Sequence, residues 1–275
     1  MGLKKNKSII AIPARLNSKR LPKKILKDIG GQPMIKRVLD QCSKSFKKNE
    51  IILCTDSAEV LTLANEWGYK AFLTSTDCTS GSDRISSVMK EIIAYMWGEN
   101  INEFESEEYI QLLKQSFVIN VQGDQPFIDS KLILNLKDRL IRYMDEPIVI
   151  TPVYKLPPDK IHNPNVVKTI VSNQEQAIYF SRAAIPFNRE HEKSSWHKFS
   201  PYYGHVGIYG FRADVLEMWN RLPISTLERI ESLEQLRLIE AGIKVYTFKT
   251  EKESFSIDTF EQLEKARDIW NTIII

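Results

Sequence analysis

Short apolar strands alternate with amphipathic helices through the first half of this 275-residue chain, and this alternation constrains the fold more than any other feature. Between the strands, apolar residues recur at helical spacing, as in Met34, Ile35, Val38 and Leu39. Chains built from such βαβ units form a mainly parallel, Rossmann-like sheet with helices on both faces. The predicted strands are residues 8–13, 51–54, 71–73 and 117–121.

The second half has a different pattern of predicted elements, because its strand-like runs follow one another with few helices between them. It predicts a strand-rich lobe over about residues 150–215, packed on the main sheet within one domain that spans residues 1–275. The chain then returns to the α/β pattern, with one helix predicted over 227–241. An acidic stretch over 97–115 predicts a surface insertion, either a solvated loop or a helix.

Charge and cysteine content exclude several classes of protein. The chain has 38 lysines and arginines against 35 acidic residues, a net charge of +3, which argues against a nucleic-acid-binding protein. No window approaches the roughly 18 uninterrupted apolar residues of a membrane span, so no membrane partner is expected. Cys42, Cys54 and Cys78 are odd in number and lack C-x-x-C spacing, which favours neither disulfides nor a zinc site. With no signal-peptide core at the N-terminus, the sequence predicts a cytoplasmic protein.

A basic loop over residues 15–24 follows the first predicted strand. Open α/β sheets bind ligands at the carboxyl ends of their strands, where Arg and Lys side chains can neutralise phosphate oxygens. The sequence contains neither a P-loop nor a G-x-G-x-x-G fingerprint, so a different class of phosphate site is predicted; a solvated basic loop is the alternative. The loop's five cations are Arg15, Lys19, Arg20, Lys23 and Lys24.

Two aspartates are candidate metal ligands. Asp124 follows a buried strand and a glycine, and Asp258 precedes the last predicted helix. Mg²⁺ commonly binds one or two carboxylates together with substrate phosphates and water. Either residue could instead cap a helix or stabilise a turn.

Four further side chains are candidates for binding a polar or anionic substrate. His205 and Tyr209 are four residues apart in a predicted strand and therefore lie on one face. They could bind a polar substrate or form a pair in the core. Arg182 and Arg189 could each bind an anion or lie at the surface without a ligand.

Taken together and in order, motifs spread over nearly the whole chain resemble those of the CMP-Kdo synthetases, also called 3-deoxy-manno-octulosonate cytidylyltransferases. The chain departs from the family pattern at Gln125, where a glutamate is usual, at Ser82-Asp83, where Thr-Glu is usual, and at Ser256-Ile257, where Gly-Val is usual. The motifs include Ile12-Pro13-Ala14-Arg15, Gly31-Gln32-Pro33-Met34-Ile35, Thr55-Asp56, Asn120-Val121-Gln122-Gly123-Asp124, Tyr179-Phe180-Ser181-Arg182, Leu233-Glu234-Gln235-Leu236-Arg237 and Asp258-Thr259.

The resemblance implies a fold like that of the nucleotide-diphospho-sugar transferases, in which the strand-rich lobe binds the sugar acid and forms a homodimer. It implies transfer of a cytidylyl group from CTP to a 2-keto-3-deoxy sugar acid, giving a CMP-sugar and pyrophosphate for lipopolysaccharide or capsule synthesis. The sugar acid would be 3-deoxy-manno-octulosonate (Kdo) or a close analogue such as 8-amino-Kdo.

The resemblance also assigns roles to residues. Arg15 and Lys24 would be catalytic, and Asp124 and Asp258 would bind Mg²⁺. The residues implied to bind the nucleotide are Pro13, Ala14, Arg15, Ser18, Arg20, Lys24, Ser80, Arg84 and Gln122. Those implied to bind the sugar acid are Gln122, Arg182, Arg189, His205, Tyr209, Glu234 and Gln235.

Three alternatives stay open at the level of sequence. The acceptor could be another acidic sugar, such as a sialic-acid-like nonulosonate. The chain could be a nucleotide-binding regulator without catalysis, although both candidate metal ligands and Lys24 are present. A basic nucleic-acid module is disfavoured by the net charge and by the acidic insertion. The main hypothesis requires Asp124 and Asp258 to meet beside the basic loop.

Overall fold

The computed structural model describes residues 6–18, 20–100, 106–143, 145–146, 148–251 and 253–274; Lys19 of the basic loop and residues 101–105 of the insertion lie outside them. The strands are β1 Lys7–Ala14, β2 Asp28–Ile29, β3 Gln32–Pro33, β4 Ile51–Thr55, β5 Lys70–Leu73, β6 Ser116–Val121, β7 Val149–Lys155, β8 Lys168–Val171, β9 Ala177–Ser181, β10 Tyr203–His205, β11 Ile208–Arg212 and β12 Val245–Thr250. The helices are α1 Met34–Cys42, α2 Ala58–Glu66, α3 Gly81–Ser86, α4 Met89–Trp97, α5 Ser106–Lys114, α6 Ser130–Arg142, α7 Ala213–Glu217, α8 Thr226–Glu231, α9 Leu236–Glu240 and α10 Phe260–Ile274.

Ten of these strands form one continuous sheet in the order β5-β4-β1-β6-β11-β7-β10-β8-β9, with β12 also paired to β7. The four strands β5, β4, β1 and β6 are parallel, as the alternating sequence pattern predicts. Strand β11 then runs antiparallel between β6 and β7, while β12 is parallel to β7. The predicted parallel core is confirmed, with antiparallel strands added on one side.

Helices cover both faces of the sheet because the buried strands are apolar on both sides. In β1, Ile10 and Ile12 pack into the core that includes α1 and α6. Their neighbours Ile9 and Ala11 face the opposite core, which includes α3, α4 and α5. Strands apolar on both faces are typical of parallel sheets enclosed by crossover helices.

Three details differ from the sequence predictions. The strands over 150–215 continue the main sheet through β11 and β10, so they do not pack on it as a separate layer. The single helix predicted over 227–241 is two helices, α8 and α9, because Ser232 ends α8 with a left-handed φ of 53°. Within the 97–115 insertion, residues 106–114 form helix α5, which is anchored to the core because Leu112 and Leu113 are buried.

The C-terminal segment packs beside the hairpin of β2 and β3, where Ile257 and Leu263 share a small core with Ile29. The backbone N–H of Ile257 donates a 3.0 Å hydrogen bond to the carbonyl of Asp124. This bond places the residue after Ile257 next to the end of β6. Among the described residues, no helix is both long and apolar enough to cross a membrane.

Candidate active site

An open cleft of about 700 Å³ lies at the carboxyl ends of β1 and β6. One wall comes from the chain that leaves β1 and includes Arg15 and Lys24, and another comes from the N-terminus of α3. We call it the first cleft. This is the edge at which a parallel sheet collects the residues that follow its strands. Its lining residues are Pro13, Arg15, Lys24, Ile25, Cys78, Thr79, Ser80, Gly81, Arg84, Gln122, Gly123, Asp124 and Asp258.

Lys24, Asp124 and Asp258 meet at one end of the first cleft. The Lys24 Nζ donates to Asp124 Oδ2 at 2.6 Å and to Asp258 Oδ1 at 2.9 Å. Arg20, which is exposed and does not line the cleft, also forms an ion pair with Asp258 at 3.0 Å. The structure therefore brings together two carboxylates 134 positions apart in the sequence, beside the basic loop.

These contacts control the charge states of the cluster. Burial opposes the charge on Lys24, but the Asp124 and Asp258 carboxylates outweigh it and raise the pKa of Lys24. Burial also opposes the charge on Asp258, but Lys24 and Arg20 outweigh it and lower the pKa of that carboxyl. At neutral pH, Lys24 is therefore a cation and Asp258 an anion.

The chemistry of the two carboxylates fits a hard divalent cation, which prefers oxygen ligands. Among the described residues there is no cluster of three or more His, Cys, Asp or Glu side chains that could bind a metal. Phosphate oxygens and water would have to complete the coordination. Because both carboxylates share the Lys24 ammonium, a cation binding between them would replace that contact.

Asp56, at the end of β4, connects the basic loop to α3. Its Oδ1 accepts a 2.9 Å hydrogen bond from the Leu16 backbone N–H, and its Oδ2 pairs with Arg84 at 3.2 Å. Arg84 is buried and also donates to Thr74 Oγ1. Asp56 is not among the residues predicted from sequence to bind a ligand. Its position directly after a strand predicted to be parallel to the first one could have indicated a place in the site, because the residues that follow parallel strands meet at one edge of the sheet.

The other predicted nucleotide residues occupy different positions around the first cleft. Pro13, Ser80 and Gln122 line it, and Ser80 caps α3 by accepting a 3.1 Å hydrogen bond from the Asp83 N–H. Ala14 is buried in β1 and Ser18 is half-buried; neither lines the cleft.

A second cleft adjoins the first and shares Thr79, Ser80, Gly81 and Gln122 with it. We call it the second cleft. The break between α8 and α9 builds part of its wall, because residues 232–234 turn into it instead of continuing the helix. If residues 227–241 formed one continuous helix, the second cleft would lack this part of its wall. The residues lining the second cleft alone are Ile224, Glu228, Arg229, Ser232, Leu233 and Glu234.

A buried ionic network supports the boundary between the clefts. Arg237 on α9 donates to Asp83 Oδ1 at 2.8 Å and forms a bidentate pair with Glu228, at 2.8 and 2.7 Å. Trp219 Nε1 donates to the same Asp83 oxygen at 2.7 Å. Burial opposes the charge on Asp83, but its hydrogen bond from Thr79 and its pairing with Arg237 lower the pKa of that carboxyl. Asp83 is therefore part of a buried ion cluster.

Of the seven residues predicted to bind the sugar acid, Gln122 and Glu234 line the second cleft. Arg182, Arg189, His205, Tyr209 and Gln235 line neither cleft. The Arg182 guanidinium donates to the backbone carbonyls of residues 231, 232 and 164, at 2.8, 3.3 and 3.2 Å. Arg189 is exposed, and Gln235 is buried with its Nε2 unpaired among the described residues.

His205 and Tyr209 do lie side by side, with ring centroids 5.3 Å apart; Tyr209 is buried and His205 is half-buried. His205 Nε2 and Thr151 Oγ1 form a 2.8 Å hydrogen bond, and the ring also contacts Phe180 edge-on. Burial lowers the pKa of His205 to about 3. At neutral pH the imidazole is therefore uncharged.

This burial predicts an acid-sensitive fold. Below pH 6.5 the unfolded chain protonates His205, whereas the folded protein does not until about pH 3. The free energy of unfolding therefore falls as the pH falls through this window. Urea titrations at pH 7 and pH 5 should show a loss about 2 kcal/mol smaller in His205→Asn than in the unmodified protein. Equal losses would mean that His205 does not control this pH dependence.

The sequence is similar to that of known cytidylyltransferases over nearly its whole length. A family model described as cytidylyltransferase matches residues 9–253. The 3-deoxy-manno-octulosonate cytidylyltransferase of Thermodesulfovibrio yellowstonii is 37% identical over 265 residues, covering 96% of this chain and 98% of the relative. The enzyme of the same name from Francisella tularensis subsp. holarctica is 38% identical over 264 residues, covering 95% and 98%.

Solved structures give a matching result. A CMP:2-keto-3-deoxy-manno-octonic acid synthetase in complex with CTP aligns with a TM-score of 0.81 and 34% sequence identity. The alignment covers 97% of this chain and 99% of that one. The structural similarity therefore extends over nearly the whole chain.

Proposed function

This chain belongs to the 3-deoxy-manno-octulosonate cytidylyltransferase family, and from that premise we propose that it transfers the cytidylyl group of CTP to Kdo. The anomeric hydroxyl oxygen of the sugar bonds to the α-phosphorus, and the bond from that phosphorus to the bridging oxygen breaks. The hydroxyl proton ends on the departing pyrophosphate, and the products are CMP-Kdo and pyrophosphate. The observation that carries the proposal is that Lys24 contacts both Asp124 and Asp258 in a cleft that adjoins a second one.

CTP occupies the first cleft in this proposal. Its triphosphate lies along the basic loop, where Arg15 is exposed to the cleft and Ser18 and Arg20 are close in sequence. Ser80, Arg84 and Pro13, which line the first cleft, face the cytidine in this proposal. The contact of Asp56 with both Leu16 and Arg84 supports this arrangement, because it fixes the loop relative to α3 before a ligand binds.

Asp124 and Asp258 are the proposed ligands of Mg²⁺. When bound there, the ion supplies positive charge to the triphosphate. Lys24, released from the two carboxylates, can then donate to phosphate oxygens. Arg15 and Lys24 together stabilise the negative charge that grows on the attacked phosphoryl group and on the leaving pyrophosphate.

Kdo occupies the second cleft in this proposal, next to the nucleotide, because the two clefts adjoin and share Ser80 and Gln122. Gln122 and Glu234 line that cleft and can bond to sugar hydroxyls. Holding two anions in contact is the main task, since a carboxylated sugar and a triphosphate repel each other. Positioning and charge neutralisation therefore carry most of the catalysis.

A pyrophosphate-release assay with CTP, Mg²⁺ and Kdo tests this function. The purified chain should release pyrophosphate with Kdo, and parallel reactions with 8-amino-Kdo and a nonulosonate define its acceptor. The relatives named above carry the octulosonate in their names, which favours Kdo over a nonulosonate. CTP binding without turnover on all three acceptors would indicate a regulator instead.

We also propose that the protein is a cytoplasmic homodimer whose product serves lipopolysaccharide or capsule synthesis. The free thiols of Cys42, Cys54 and Cys78 suit a reducing compartment. Strand β9 lies at the end of the sheet order and has an exposed Ile178, which supports a contact between subunits through the strand-rich lobe. Light scattering should give twice the mass of one chain.

A further inference from the structure

Lys23, the residue directly before Lys24, has a backbone conformation that few residues with a side chain adopt. Its φ of 51° and ψ of 38° lie in the left-handed region. A residue with a Cβ enters that region at a cost in free energy, whereas glycine enters it freely and asparagine more readily than most. Such conformations persist only where the surrounding structure holds them, and they are frequent at functional sites.

The structure around Lys23 holds this conformation in place. Leu21 and Ile25, on either side of it, are 5% and 3% exposed and pack in two different hydrophobic cores. Only residues 22–24 lie between these two anchors, so the chain has little freedom there. The carbonyl of Lys23 also accepts a 3.0 Å hydrogen bond from the Leu26 backbone N–H.

This conformation sets the direction of Lys24. Lys23 immediately precedes a short 3₁₀ helix, Lys24–Leu26, so its φ and ψ orient that helix relative to the chain before it. From this helix the Lys24 Nζ reaches the carboxylates of Asp124 and Asp258 at 2.6 and 2.9 Å. An extended backbone at position 23 would change φ by roughly 170°. The Lys24 ammonium could then not keep both contacts while the two anchors stay buried.

The side chain of Lys23 points away from this chemistry. It is 61% exposed, lines neither cleft, and pairs with the exposed Glu59 at 3.3 Å. Exposed ion pairs of this kind contribute little to stability. The backbone of Lys23, and not its ammonium, is therefore the feature that bears on the site.

We propose that Lys23 is a positioning residue whose left-handed backbone aims the Lys24 ammonium at Asp124 and Asp258. The inference rests on the proposed function, in which Lys24 donates to phosphate oxygens once a divalent cation binds the two carboxylates. Displacing Lys24 then has two opposite effects. It removes a donor from the triphosphate, and it removes the cation that competes with a metal for the carboxylates.

Lys23→Asn and Lys23→Val test this proposal, because both remove the ammonium and their side chains are similar in size. Only asparagine enters the left-handed region readily. We expect kcat for pyrophosphate release with CTP, Mg²⁺ and Kdo to be about tenfold lower in the valine variant than in the asparagine variant, because valine disfavours the turn that places Lys24.

Mn²⁺ binding without nucleotide provides a second measurement, which does not depend on turnover. Calorimetry should give a dissociation constant at least about threefold lower for the valine variant than for the asparagine variant, since the competing ammonium is displaced for part of the time. A protein that is merely destabilised would not bind the metal more tightly. Lys23→Leu, which lacks the β-branch, should give intermediate values, and it replaces the valine variant in the comparison if that variant does not fold.

Glu175→Val is the matched control, because Glu175 also has a left-handed φ, of 59°, and lines neither cleft. It should lower the thermal unfolding midpoint without changing kcat or the Mn²⁺ affinity. Values of kcat within twofold of each other in Lys23→Asn and Lys23→Val would overturn the proposal. So would an Mn²⁺ affinity that is equal or weaker in the valine variant. If the unmodified protein gives no turnover with Kdo, the proposed function is overturned, whereas the Mn²⁺ comparison still decides whether Lys23 positions Lys24.

Discussion

Replacing Asp124 with asparagine should lower kcat for pyrophosphate release at least about 1,000-fold, because a neutral amide cannot replace a carboxylate as a ligand of a divalent cation. The change keeps the size of the side chain, and its oxygen can still accept from Lys24 Nζ, 2.6 Å from the native carboxylate. The thermal unfolding midpoint should therefore stay near that of the unmodified protein. The measurement is the initial rate with saturating CTP and Kdo over a range of Mg²⁺ concentrations.

Asp138→Asn is the matched control for this prediction. Asp138 is exposed on α6 and lines neither cleft, so the same change of chemistry should leave kcat unaltered. A kcat of Asp124→Asn within tenfold of that of the unmodified enzyme at every Mg²⁺ concentration, including the lowest, would contradict the assignment of Asp124 as a metal ligand. Recovery of the rate at high Mg²⁺ would instead support it, since weakened binding can be overcome by concentration.

Replacing Lys24 with methionine should lower kcat by about 10²–10³, the loss typical of removing one preorganised donor to developing negative charge. Methionine keeps much of the length of the side chain without its charge. A second result is expected in the absence of nucleotide. Mn²⁺ should bind the variant more tightly than the unmodified protein, because no ammonium then competes for Asp124 and Asp258.

Lys36→Met is the matched control, because it removes a lysine that lines neither cleft. Lys36 lies on α1 and pairs with Asp40, away from both clefts. A loss of less than threefold in Lys24→Met, together with unchanged Mn²⁺ affinity by calorimetry, would reduce Lys24 to a structural ion pair.

The parallel half of the fold could be predicted from sequence because its signals are local. Apolar runs such as those of β1 and β6 are short, and apolar residues recur at helical spacing in the segments between them. The residues that follow parallel strands meet at one edge, so Arg15 and Asp124 were expected to share a site. The same rule could not place Asp258, which reaches the site through a backbone hydrogen bond from Ile257 to Asp124.

The side chains around the second cleft were harder to predict because their partners are distant in sequence. Arg182 looks available in the sequence, yet it is bonded to carbonyls at positions 231 and 232, about fifty residues later in the chain. Arg229 looks like an ordinary surface arginine on a helix. Its relation to the cleft depends on the left-handed turn at Ser232, which helical periodicity did not reveal.

His205 and Tyr209 show a further limit of patterns. Strand periodicity correctly placed them next to each other. Periodicity does not say how far the shared face is buried, and here Tyr209 is buried whereas His205 is half-buried. Their family-implied role in binding the sugar acid stays a prediction, which the His205→Asn variant can also address through its KM for Kdo.

The 234 positions between Lys24 and Asp258 have a consequence for biosynthesis. Domains begin to form from their N-terminal end while the ribosome is still adding residues. The lysine is thus in place early, whereas one of its two acidic partners is added when translation is almost finished. A polypeptide released by a premature stop just before codon 258 would contain every strand of the sheet but would lack the carboxylate that we propose as a metal ligand.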